Sequence, residues 1–363
     1  MRTGPLLIMA GGTGGHVFPA LAVADFLRDN GVPVLWLGTR SGLESKVVPV
    51  KGYRLLTVDF RGIRGKTLDK WLVAPFVMIR AVLQAVLIFF RIKPAAALGM
   101  GGFASAPGGI AAWLFRVPLL IHEQNSVVGA TNRLLKPMAK VIMEGFPGTF
   151  DSNPRVHNTG NPVRTGIAVL PDPGDRLKSY PGRAFHLLIL GGSQGARALN
   201  EIVPTALELM DKDFNVEVWH QAGELHYATV KNQYESMQRT INPRLEAFIE
   251  DMARAYEWAD LVLCRAGALT IAELCSAGVA SILVPYPNAV DDHQTSNAKH
   301  LSDKGCALLI PEPELDSKML AKVITAIARE PGRLLEMSRL TRLQARPEAT
   351  RDVAELCLEA MHA

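Results

Sequence analysis

The sequence has few cysteines, and their spacing fits no metal site. Its 363 residues contain four of them, namely Cys264, Cys275, Cys306 and Cys357. Without a CxxC pair they predict reduced, mostly buried thiols of a cytosolic protein. No Gly-x4-Gly-Lys-(Ser/Thr) loop occurs, which excludes a Walker A nucleotide site. We also expect no signal peptide, because residues 1–10 resemble a short apolar strand rather than a cleavable segment.

Acidic residues are scarce in the first half of the chain. Residues 1–164 hold 19 Lys and Arg against 8 Asp and Glu, whereas the remaining residues hold 20 against 27. The net charge of +4 therefore conceals a basic half joined to an acidic half. Such an asymmetry indicates that the first half meets an anionic partner. Nucleic acid, a membrane surface and a phosphorylated substrate all fit that description.

Apolar strands alternate with helical segments along the chain, which is typical of parallel sheets covered by helices on both faces. The length favours two domains. An apolar strand, a Gly-Gly-(Ser/Thr)-x-Gly turn and a helix occur at residues 11–15 and again at residues 191–195. We therefore predict an α/β protein of two Rossmann-like domains, with a boundary in the polar, Pro- and Gly-rich stretch 158–183.

The glycine turns allow a ligand to approach the backbone closely. A turn between a parallel strand and a helix also directs helix N–H groups at an anion. A tight turn without a ligand is the alternative for each loop taken singly, because parallel sheets need such turns. A third segment, residues 99–104, matches the Gly-x-Gly-x-x-(Gly/Ala) dinucleotide pattern, with Glu123 about twenty residues later. This match keeps a nicotinamide- or flavin-dependent oxidoreductase as an alternative.

His16 stands where the first glycine turn becomes a helix. A histidine titrates near neutral pH, so it can act there as a general base or a phosphate contact, or it can simply bond to its neighbours. The segment IHEQN places Glu123 and Asn125 just past the carboxyl end of a predicted strand, where open α/β sheets bind ligands. Spacing alone leaves both His16 and Glu123 as candidate bases.

Residues 70–93 form a long apolar run with basic flanks. Its length would allow it to span a bilayer, but Arg80, Gln84 and Pro75 interrupt it, so we do not expect it to span. An apolar core helix is one interpretation, and we favour an interfacial helix instead. The predicted lipid-facing side chains are Trp71, Phe76, Leu83, Phe89, Phe90, Trp113 and Phe115. The predicted basic partners of lipid phosphates are Arg61, Arg64, Lys66, Lys70, Arg80, Arg91 and Lys93.

A set of motifs in a fixed order gives the chain a family resemblance. They are AGGTGGHVFPALA, GMGGFASAPGG, HEQN, GNPVR, GGSQGA, CRAGALTIAE and DDHQTSNA, spread over residues 6–349. Together they resemble the MurG family of bacterial N-acetylglucosaminyltransferases, which make lipid II of peptidoglycan. The chain departs from the family at Phe103 and Ala106, where Tyr and Gly are usual, and in a loop before DDHQ that is one residue longer.

The resemblance implies a GT-B fold, in which the parallel sheets of two Rossmann-like domains face each other across a cleft. Residues 1–163 would bind the lipid acceptor and the membrane, residues 164–345 would bind UDP-GlcNAc, and residues 346–363 would form a helix able to pack back on the first domain. In the implied reaction the 4-hydroxyl of MurNAc in lipid I (undecaprenyl-pyrophosphoryl-MurNAc-pentapeptide) attacks the anomeric carbon of UDP-GlcNAc. The anomeric centre inverts, UDP leaves, and no cofactor takes part.

For the acceptor side, the resemblance makes His16 the preferred base and Glu123 the second candidate. The residues that would line this side are Thr13, Gly14 and Gly15.

For the donor side, the resemblance implies that Ser193 and Arg164 contact the phosphates and that Ile249 meets uracil through its backbone. Gln294 and Asn125 would hold the sugar hydroxyls. The helix start under the nucleotide would comprise Ala268, Leu269, Thr270, Ile271, Ala272 and Glu273, the last accepting from the ribose hydroxyls. A diphosphate gains negative charge as it leaves, and backbone N–H groups after the second glycine turn can stabilise that charge.

The implied partners are UDP-GlcNAc, lipid I, an anionic membrane surface and other proteins of cell-wall synthesis and division, at the cytoplasmic face of the bacterial inner membrane. Nucleic acid and a metal ligand set are not expected. Residues 211–213 spell Asp-x-Asp, the metal motif of another glycosyltransferase fold, but we interpret them as a solvated helix end. Another GT-B UDP-sugar transferase with a lipid acceptor, an oxidoreductase and a non-enzymatic membrane-surface scaffold are the alternatives.

Overall fold

The computed structural model describes residues 4–60, 68–180, 182–192, 195–238 and 241–362. The chain divides into two compact units, Met1–Arg164 with Pro347–Ala363 (unit 1) and Thr165–Arg346 (unit 2). Each unit is built on one sheet of parallel strands with helices between them. The predicted pair of Rossmann-like domains is therefore confirmed.

Unit 1 contains a seven-stranded sheet. Its strands are β1 (Leu6–Met9), β2 (Val34–Gly38), β3 (Leu55–Thr57), β4 (Ala96–Gly99), β5 (Leu119–Glu123), β6 (Val141–Glu144) and β7 (Val156–Asn158). Its helices are α1 (Gly14–Asp29), α2 (Glu44–Val50), α3 (Leu68–Ile92), α4 (Ser105–Leu114) and α5 (Ala130–Leu135). The strand order is β3-β2-β1-β4-β5-β6-β7, and every neighbouring pair is parallel.

Alternate side chains of β1 enter two different cores, because successive residues of a strand point to opposite faces of the sheet. Leu6 and Ile8 pack in a cluster with α1, whereas Leu7 and Met9 pack in a second cluster with α3 and α4. All of these side chains are fully buried. A strand covered on both faces has no place for a polar residue, which explains the unbroken apolar run of β1.

Unit 2 contains a six-stranded parallel sheet in the order β10-β9-β8-β11-β12-β13. Its strands are β8 (Phe185–Leu190), β9 (Val216–Gln221), β10 (Arg244–Glu246), β11 (Leu261–Cys264), β12 (Ala280–Leu283) and β13 (Ala307–Leu309). Its helices are α6 (Thr165–Ala168), α7 (Pro173–Arg176), α8 (Arg197–Glu208), α9 (Tyr227–Glu235), α10 (Met252–Trp258), α11 (Ala268–Ala277), α12 (His293–Ser302), α13 (Ser317–Ala328) and α14 (Pro331–Arg342), with short 3-10 helices at Val290–Asp292 and Glu312–Glu314.

The last helix, α15 (Ala349–His362), returns to unit 1. Its side chains Val353, Ala354, Cys357 and Met361 are buried in the same cluster as Leu6 and Ile8. All four cysteines of the chain are buried and unbonded to one another, as their spacing predicted.

In each sheet the strand order reverses once, between β1 and β4 in unit 1 and between β8 and β11 in unit 2. At such a switch point the loops after the two central strands leave in opposite directions and open a crevice, which is where α/β sheets bind ligands. Both Gly-Gly-(Ser/Thr)-x-Gly turns lie at these positions, immediately after β1 and immediately after β8.

Candidate functional site

The loop after β1, residues 10–13, is held by a buried carboxylate. The Gly12 N–H donates to Glu44 Oε2 at 2.9 Å. The other oxygen, Oε1, accepts from the N–H and the hydroxyl of Thr39 at 2.9 and 2.7 Å. Glu44 opens α2 and is fully buried. The carboxylate ties the loop after β1 to the loop after β2, a role that no motif in the sequence indicates.

His16 lies in the first turn of α1 and is half-buried. Its Nδ1 atom is 3.3 Å from the Gly11 carbonyl oxygen and 3.5 Å from the Thr13 hydroxyl oxygen. Because a carbonyl oxygen can only accept, the contact with Gly11 is a hydrogen bond only in the tautomer that carries its proton on Nδ1. Nε2 is then the basic nitrogen of the ring, and a basic nitrogen is what a general base requires.

The loop after β4 packs on the first loop through two glycines. Gly101 and Gly102 have φ angles of 98° and 81°, in the region that favours glycine. A Cβ atom on Gly101 would lie 2.9 Å from His16 Nε2, and one on Gly102 would overlap the Gly11 carbonyl group. Gly101 and Gly102 therefore permit the two loops to pack together, a structural role that does not require a bound dinucleotide.

Glu123 ends β5 and is only 3% exposed. Its Oε1 accepts from the Asn125 N–H at 3.1 Å, and its Oε2 accepts from the Gly129 N–H and the Asn132 side-chain amide, both at 2.9 Å. These bonds hold the loop that follows β5. Proton abstraction by Glu123 would compete with them, so the geometry favours His16 over Glu123 as the base.

Arg164, at the end of unit 1, lies against α1. Its guanidinium carbon is 5.2 Å from the centroid of the Phe18 ring, a cation–π distance. Phe18 in turn covers Gly14, where a Cβ atom would lie 2.9 Å from the ring. The structure therefore places a cation beside the first turn of the helix that carries His16.

In the described part of the corresponding loop of unit 2, residues 191–192 and 195–196, main-chain carbonyl oxygens accept the hydrogen bonds of two glycine N–H groups. The Gly191 N–H donates to the Gln221 carbonyl oxygen at 3.1 Å, and the Gly195 N–H donates to that of Gly192 at 3.1 Å. Gly192 and Gly195 have φ angles of 75° and 79°, and a Cβ atom on Gly195 would overlap the Ala222 carbonyl oxygen. The predicted phosphate contact Ser193 lies outside the described residues.

The second loop at this switch point leads into α11. The predicted nucleotide-binding segment opens this helix, after an extended Gly267 at its N-cap. Leu269, Thr270 and Ala272 are partly exposed, whereas the buried members of the segment are Ala268, Ile271 and Glu273. A helix glutamate is ordinarily solvated, yet Glu273 is 4% exposed, and its Oε2 accepts from the Tyr256 hydroxyl at 3.0 Å. A buried, oriented carboxylate suits the recognition of hydroxyl groups.

Two other residues that we predicted to contact UDP-GlcNAc, Ile249 and Gln294, each make a hydrogen bond within unit 2. The Ile249 N–H donates to Gln221 Oε1 at 3.0 Å, so recognition of uracil by this residue would use its carbonyl group. Gln294 Oε1 accepts from the Tyr286 N–H at 2.9 Å, so recognition of a sugar hydroxyl by this residue would use its amide NH₂.

Arg265, immediately after β11, is held by contacts within unit 2. Its guanidinium group donates to the carbonyl oxygens of Val284 and Pro285 at 3.1 and 3.2 Å and forms an ion pair with Glu312. It also lies 5.5 Å from the centroid of the Tyr286 ring. Arg265 thus anchors the loop whose Tyr286 N–H meets Gln294.

One face of α3 is apolar and exposed. Its side chains recur at helical spacing and are 57–72% exposed, namely Phe76, Ile79, Leu83, Leu87 and Phe90. Trp113 and Leu114 of α4 are 57% and 53% exposed. The stretch Pro75–Ile92 is long and apolar enough to cross a membrane by length and composition, and 17% of it is buried.

The lipid-facing prediction was wrong for Phe89, which is 1% exposed and packs on Phe115 at a ring-centroid distance of 6.1 Å. The helical period explains this, because Phe89 follows the buried Ala81 and Ala85 at four-residue intervals, whereas Phe90 turns outward. Arg61, Arg64 and Lys66 lie outside the described residues, and only the backbone is described for Lys70 and Trp71.

Family models match most of the chain. The glycosyltransferase family 28 N-terminal domain matches residues 6–144, and the glycosyltransferase family 28 C-terminal domain matches residues 186–353. These two segments contain the β1–α1 and β8–α8 glycine loops respectively.

Curated relatives match nearly the whole chain. A UDP-N-acetylglucosamine–N-acetylmuramyl-(pentapeptide) pyrophosphoryl-undecaprenol N-acetylglucosamine transferase of Nitrosococcus oceani is 51% identical and covers 98% of both chains. The transferase of the same name from Alkalilimnicola ehrlichii is 50% identical and covers 98% of this chain and 99% of its own. Among solved structures, Acinetobacter baumannii MurG is 38% identical with a TM-score of 0.83, covering 98% of this chain and 99% of that one.

Proposed function

The chain belongs to glycosyltransferase family 28, and from this premise we propose that it transfers N-acetylglucosamine from UDP-N-acetylglucosamine to lipid I. The acceptor is the 4-hydroxyl of MurNAc in undecaprenyl-pyrophosphoryl-MurNAc-pentapeptide, and the products are lipid II and UDP. The observation that carries this proposal is the 51% identity, over 98% of both chains, to a transferase named for this reaction. Nothing in the comparisons supports an oxidoreductase, and the glycines that suggested one pack against the neighbouring loop.

The donor belongs to unit 2 in this proposal. The diphosphate would lie at the loop after β8, where Ser193 is the predicted hydroxyl contact and the start of α8 supplies N–H groups. Glu273 would accept from the ribose hydroxyls, because its carboxylate is buried and oriented by Tyr256. The carbonyl of Ile249 would meet uracil, and the NH₂ group of Gln294 would meet a hydroxyl of the transferred sugar.

The acceptor belongs to unit 1. His16 Nε2 would take the proton of the attacking hydroxyl as the new glycosidic bond forms. The electron pair of the breaking bond would leave with UDP, whose growing charge the N–H groups of the loop after β8 would stabilise. Thr13, Gly14 and Gly15 would line the acceptor side. Arg164 stays a proposed phosphate contact, and Asn125 stays a proposed contact of the transferred sugar.

We further propose that the chain works at an anionic membrane surface, on the cytoplasmic face of the bacterial inner membrane. An acceptor with an undecaprenyl chain resides in a bilayer, and the exposed apolar face of α3 and α4 suits an acyl boundary. Arg91 and Lys93 follow that face at the end of α3, and basic side chains near an anionic leaflet add to attachment. Other proteins of cell-wall synthesis and division are proposed partners of the same location.

UDP release tests the proposed reaction. Purified protein is incubated with UDP-GlcNAc and a short-chain lipid I analogue, with and without a chelator, and free UDP is measured over time. We expect release that requires the analogue and stops when it is omitted. Two results would contradict the proposed function: UDP release that does not depend on the analogue, or no UDP release when both substrates are present.

Vesicle flotation tests the proposed membrane face. The double variant Leu83→Ser/Leu87→Ser removes two exposed apolar side chains of α3. Because burying such a side chain contributes about 1.5–3 kcal/mol, binding to anionic vesicles should fall by at least tenfold. Leu343→Ser, at a 76% exposed position of unit 2, is the matched control and should bind like the wild type. Equal loss in both variants would argue against a specific face.

A further inference from the structure

We propose that Glu44 is a positioning residue for His16, acting through the peptide group between Gly11 and Gly12. Glu44 matches none of the motifs described above, and it lies 28 residues after His16 in the sequence. The inference rests on the proposed function insofar as it assigns proton abstraction to His16. Its structural part, the orientation of one peptide group by one carboxylate, stands on the contacts of unit 1 alone.

Glu44 has no exposed surface and uses both carboxylate oxygens. Oε2 accepts from the Gly12 N–H, and Oε1 accepts from the N–H and hydroxyl of Thr39. A buried carboxylate is costly unless it is bonded in this way, because it has lost its hydration. The donors come from the two loops that follow β1 and β2, so the carboxylate fixes one loop against the other.

Three glycines make the space that this side chain occupies. Cβ atoms on Gly11 and Gly42 would overlap the carboxylate group, and one on Gly38 would lie 2.6 Å from Glu44 Cγ. None of these three has a φ angle in the left-handed region, so the need for glycine at these positions is one of space. Part of the glycine content of the first loop therefore serves Glu44 rather than a ligand.

The peptide group that Glu44 holds is the one that faces His16. In a trans peptide the N–H and the C=O point in opposite directions. The Gly12 N–H points to Glu44, and the C=O of the same group, that of Gly11, lies 3.3 Å from His16 Nδ1. Fixing the N–H on one side therefore presents a hydrogen-bond acceptor to the imidazole on the other.

This orientation decides which nitrogen of His16 is basic. An acceptor facing Nδ1 keeps the proton there and leaves Nε2 as the base. If the peptide group turned over, its N–H would face Nδ1 and favour the tautomer with a proton on Nε2, which cannot take another proton from the acceptor hydroxyl as a neutral ring. Glycine on both sides allows such a rotation, so the observed orientation needs an external anchor. Glu44 is that anchor.

The first test is made on the wild-type protein. The ¹⁵N chemical shifts of the His16 ring, measured by NMR at neutral pH in the full chain, report its tautomer. We expect the proton on Nδ1. A ring with its proton on Nε2 would overturn the proposal, and this measurement depends on no variant and on no enzymatic activity.

The second test compares two buried carboxylates of unit 1. Glu44→Gln leaves the shape but places an NH₂ group against one of the donors. Glu144→Gln is the matched control, because Glu144 is 4% exposed and accepts from the Gly148 and Phe150 N–H groups of the loop after β6, which is three strands away from β1. Both variants should lose some thermal stability. Only Glu44→Gln should lower kcat, by about 10- to 100-fold, with an unchanged KM for UDP-GlcNAc and a changed His16 tautomer.

The outcomes separate the two levels of the proposal. A folded Glu44→Gln variant with wild-type kcat and tautomer would overturn the positioning role. Equal loss of kcat in Glu44→Gln and Glu144→Gln would also overturn it, because the effect would then be one of general stability. If the wild type itself releases no UDP, the proposed function fails, while the tautomer measurement still decides the orientation of the peptide group.

Discussion

The two glycine loops share one sequence pattern, but they are supported by different chemistry. In unit 1 the second glycine of the pattern, Gly12, donates its N–H to the buried carboxylate of Glu44. In the described part of the unit 2 loop, the N–H groups of Gly191, which corresponds to Gly11, and of Gly195 donate to main-chain carbonyl oxygens. Like charges repel, and they do so more strongly where water is excluded, so a buried carboxylate beneath a loop disfavours an anion bound to that loop. This difference supports the proposed placement of the UDP diphosphate at the loop of unit 2. The sequence pattern predicts the strand–turn–helix fold, whereas the charge of the groups that accept from the loop N–H groups influences which ligand the loop can bind.

The groups beneath the unit 2 loop reinforce this difference. The Asn200 amide donates to the Ala222 carbonyl oxygen at 2.9 Å, and its oxygen is 3.1 Å from His220 Nε2. The other ring nitrogen of His220 is 3.0 Å from the Tyr234 hydroxyl. Burial lowers the pKa of His220 to about 3, so this ring is neutral at physiological pH. This network supports the loop without adding negative charge.

The largest expected effect comes from His16, because it is the proposed general base in unit 1 and is not proposed to bind UDP-GlcNAc. His16→Ala should lower kcat about 10²–10⁴-fold. The Kd for UDP, measured by titration calorimetry, should stay at the wild-type value because unit 2 is untouched. Wild-type kcat in His16→Ala, together with a low kcat in a folded Glu123→Gln variant, would assign the base to Glu123 instead.

In unit 2 we expect a smaller effect, and it should fall on UDP binding rather than on kcat. Glu273→Gln should weaken UDP binding about 10- to 100-fold, since hydrogen bonds to a charged group contribute about 1.5–3 kcal/mol. Binding of 2′,3′-dideoxy-UDP, which lacks the ribose hydroxyls, should be the same in the variant and the wild type. If both ligands lose affinity equally, Glu273 supports the fold of the site rather than the ribose.

The smallest effect is expected from Gly15, where an added Cβ atom would make an ordinary contact with the Thr13 hydroxyl oxygen, at 3.7 Å, and no closer one with the described residues beyond its own helix backbone and chain neighbours. Gly15→Ala should leave stability unchanged or raise it by up to about 1 kcal/mol, since alanine favours helices. If Gly15 lines the acceptor side, the KM for the lipid I analogue should rise about tenfold, the effect of about 1.4 kcal/mol of steric exclusion.

Gly332 is the matched control for this change. It is the second residue of α14, as Gly15 is the second residue of α1. Beyond its chain neighbours and its own helix backbone, none of the described residues has an atom within 4 Å of the position that its Cβ would take. Gly332→Ala should show the same small gain in stability, measured by urea unfolding, and wild-type kinetics. Wild-type kinetics in both variants would remove Gly15 from the acceptor side.

Sequence patterns with a local cause predicted the corresponding structure correctly. The buried strands, the glycine turns after β1 and β8 and the helical stretch of α3 all follow from the period and turn chemistry of neighbouring residues. The inward turn of Phe89 was missed because an apolar run of this kind does not show which side of the helix meets the core.

The contacts of two buried carboxylates, Glu44 and Glu273, could not be predicted from the sequence, because they depend on tertiary structure. Glu44 meets a residue 32 positions earlier in the sequence, and nothing near it in the chain marks a buried carboxylate. The family resemblance implied a role for Glu273, but its burial and its hydrogen bond from Tyr256 depend on the fold. A side chain that bonds to two loops can be identified only when the strand order is known, because that order determines which loops are neighbours.

Hydrogen–deuterium exchange of the full chain with and without UDP tests most directly whether the two loops differ in the ligand they hold. Because the proposal assigns UDP to unit 2, UDP should slow exchange in peptides covering residues 186–200 and 265–277 and leave residues 6–20 unchanged. Slowed exchange in residues 6–20, with none in residues 186–200, would contradict the assignment of the diphosphate to unit 2.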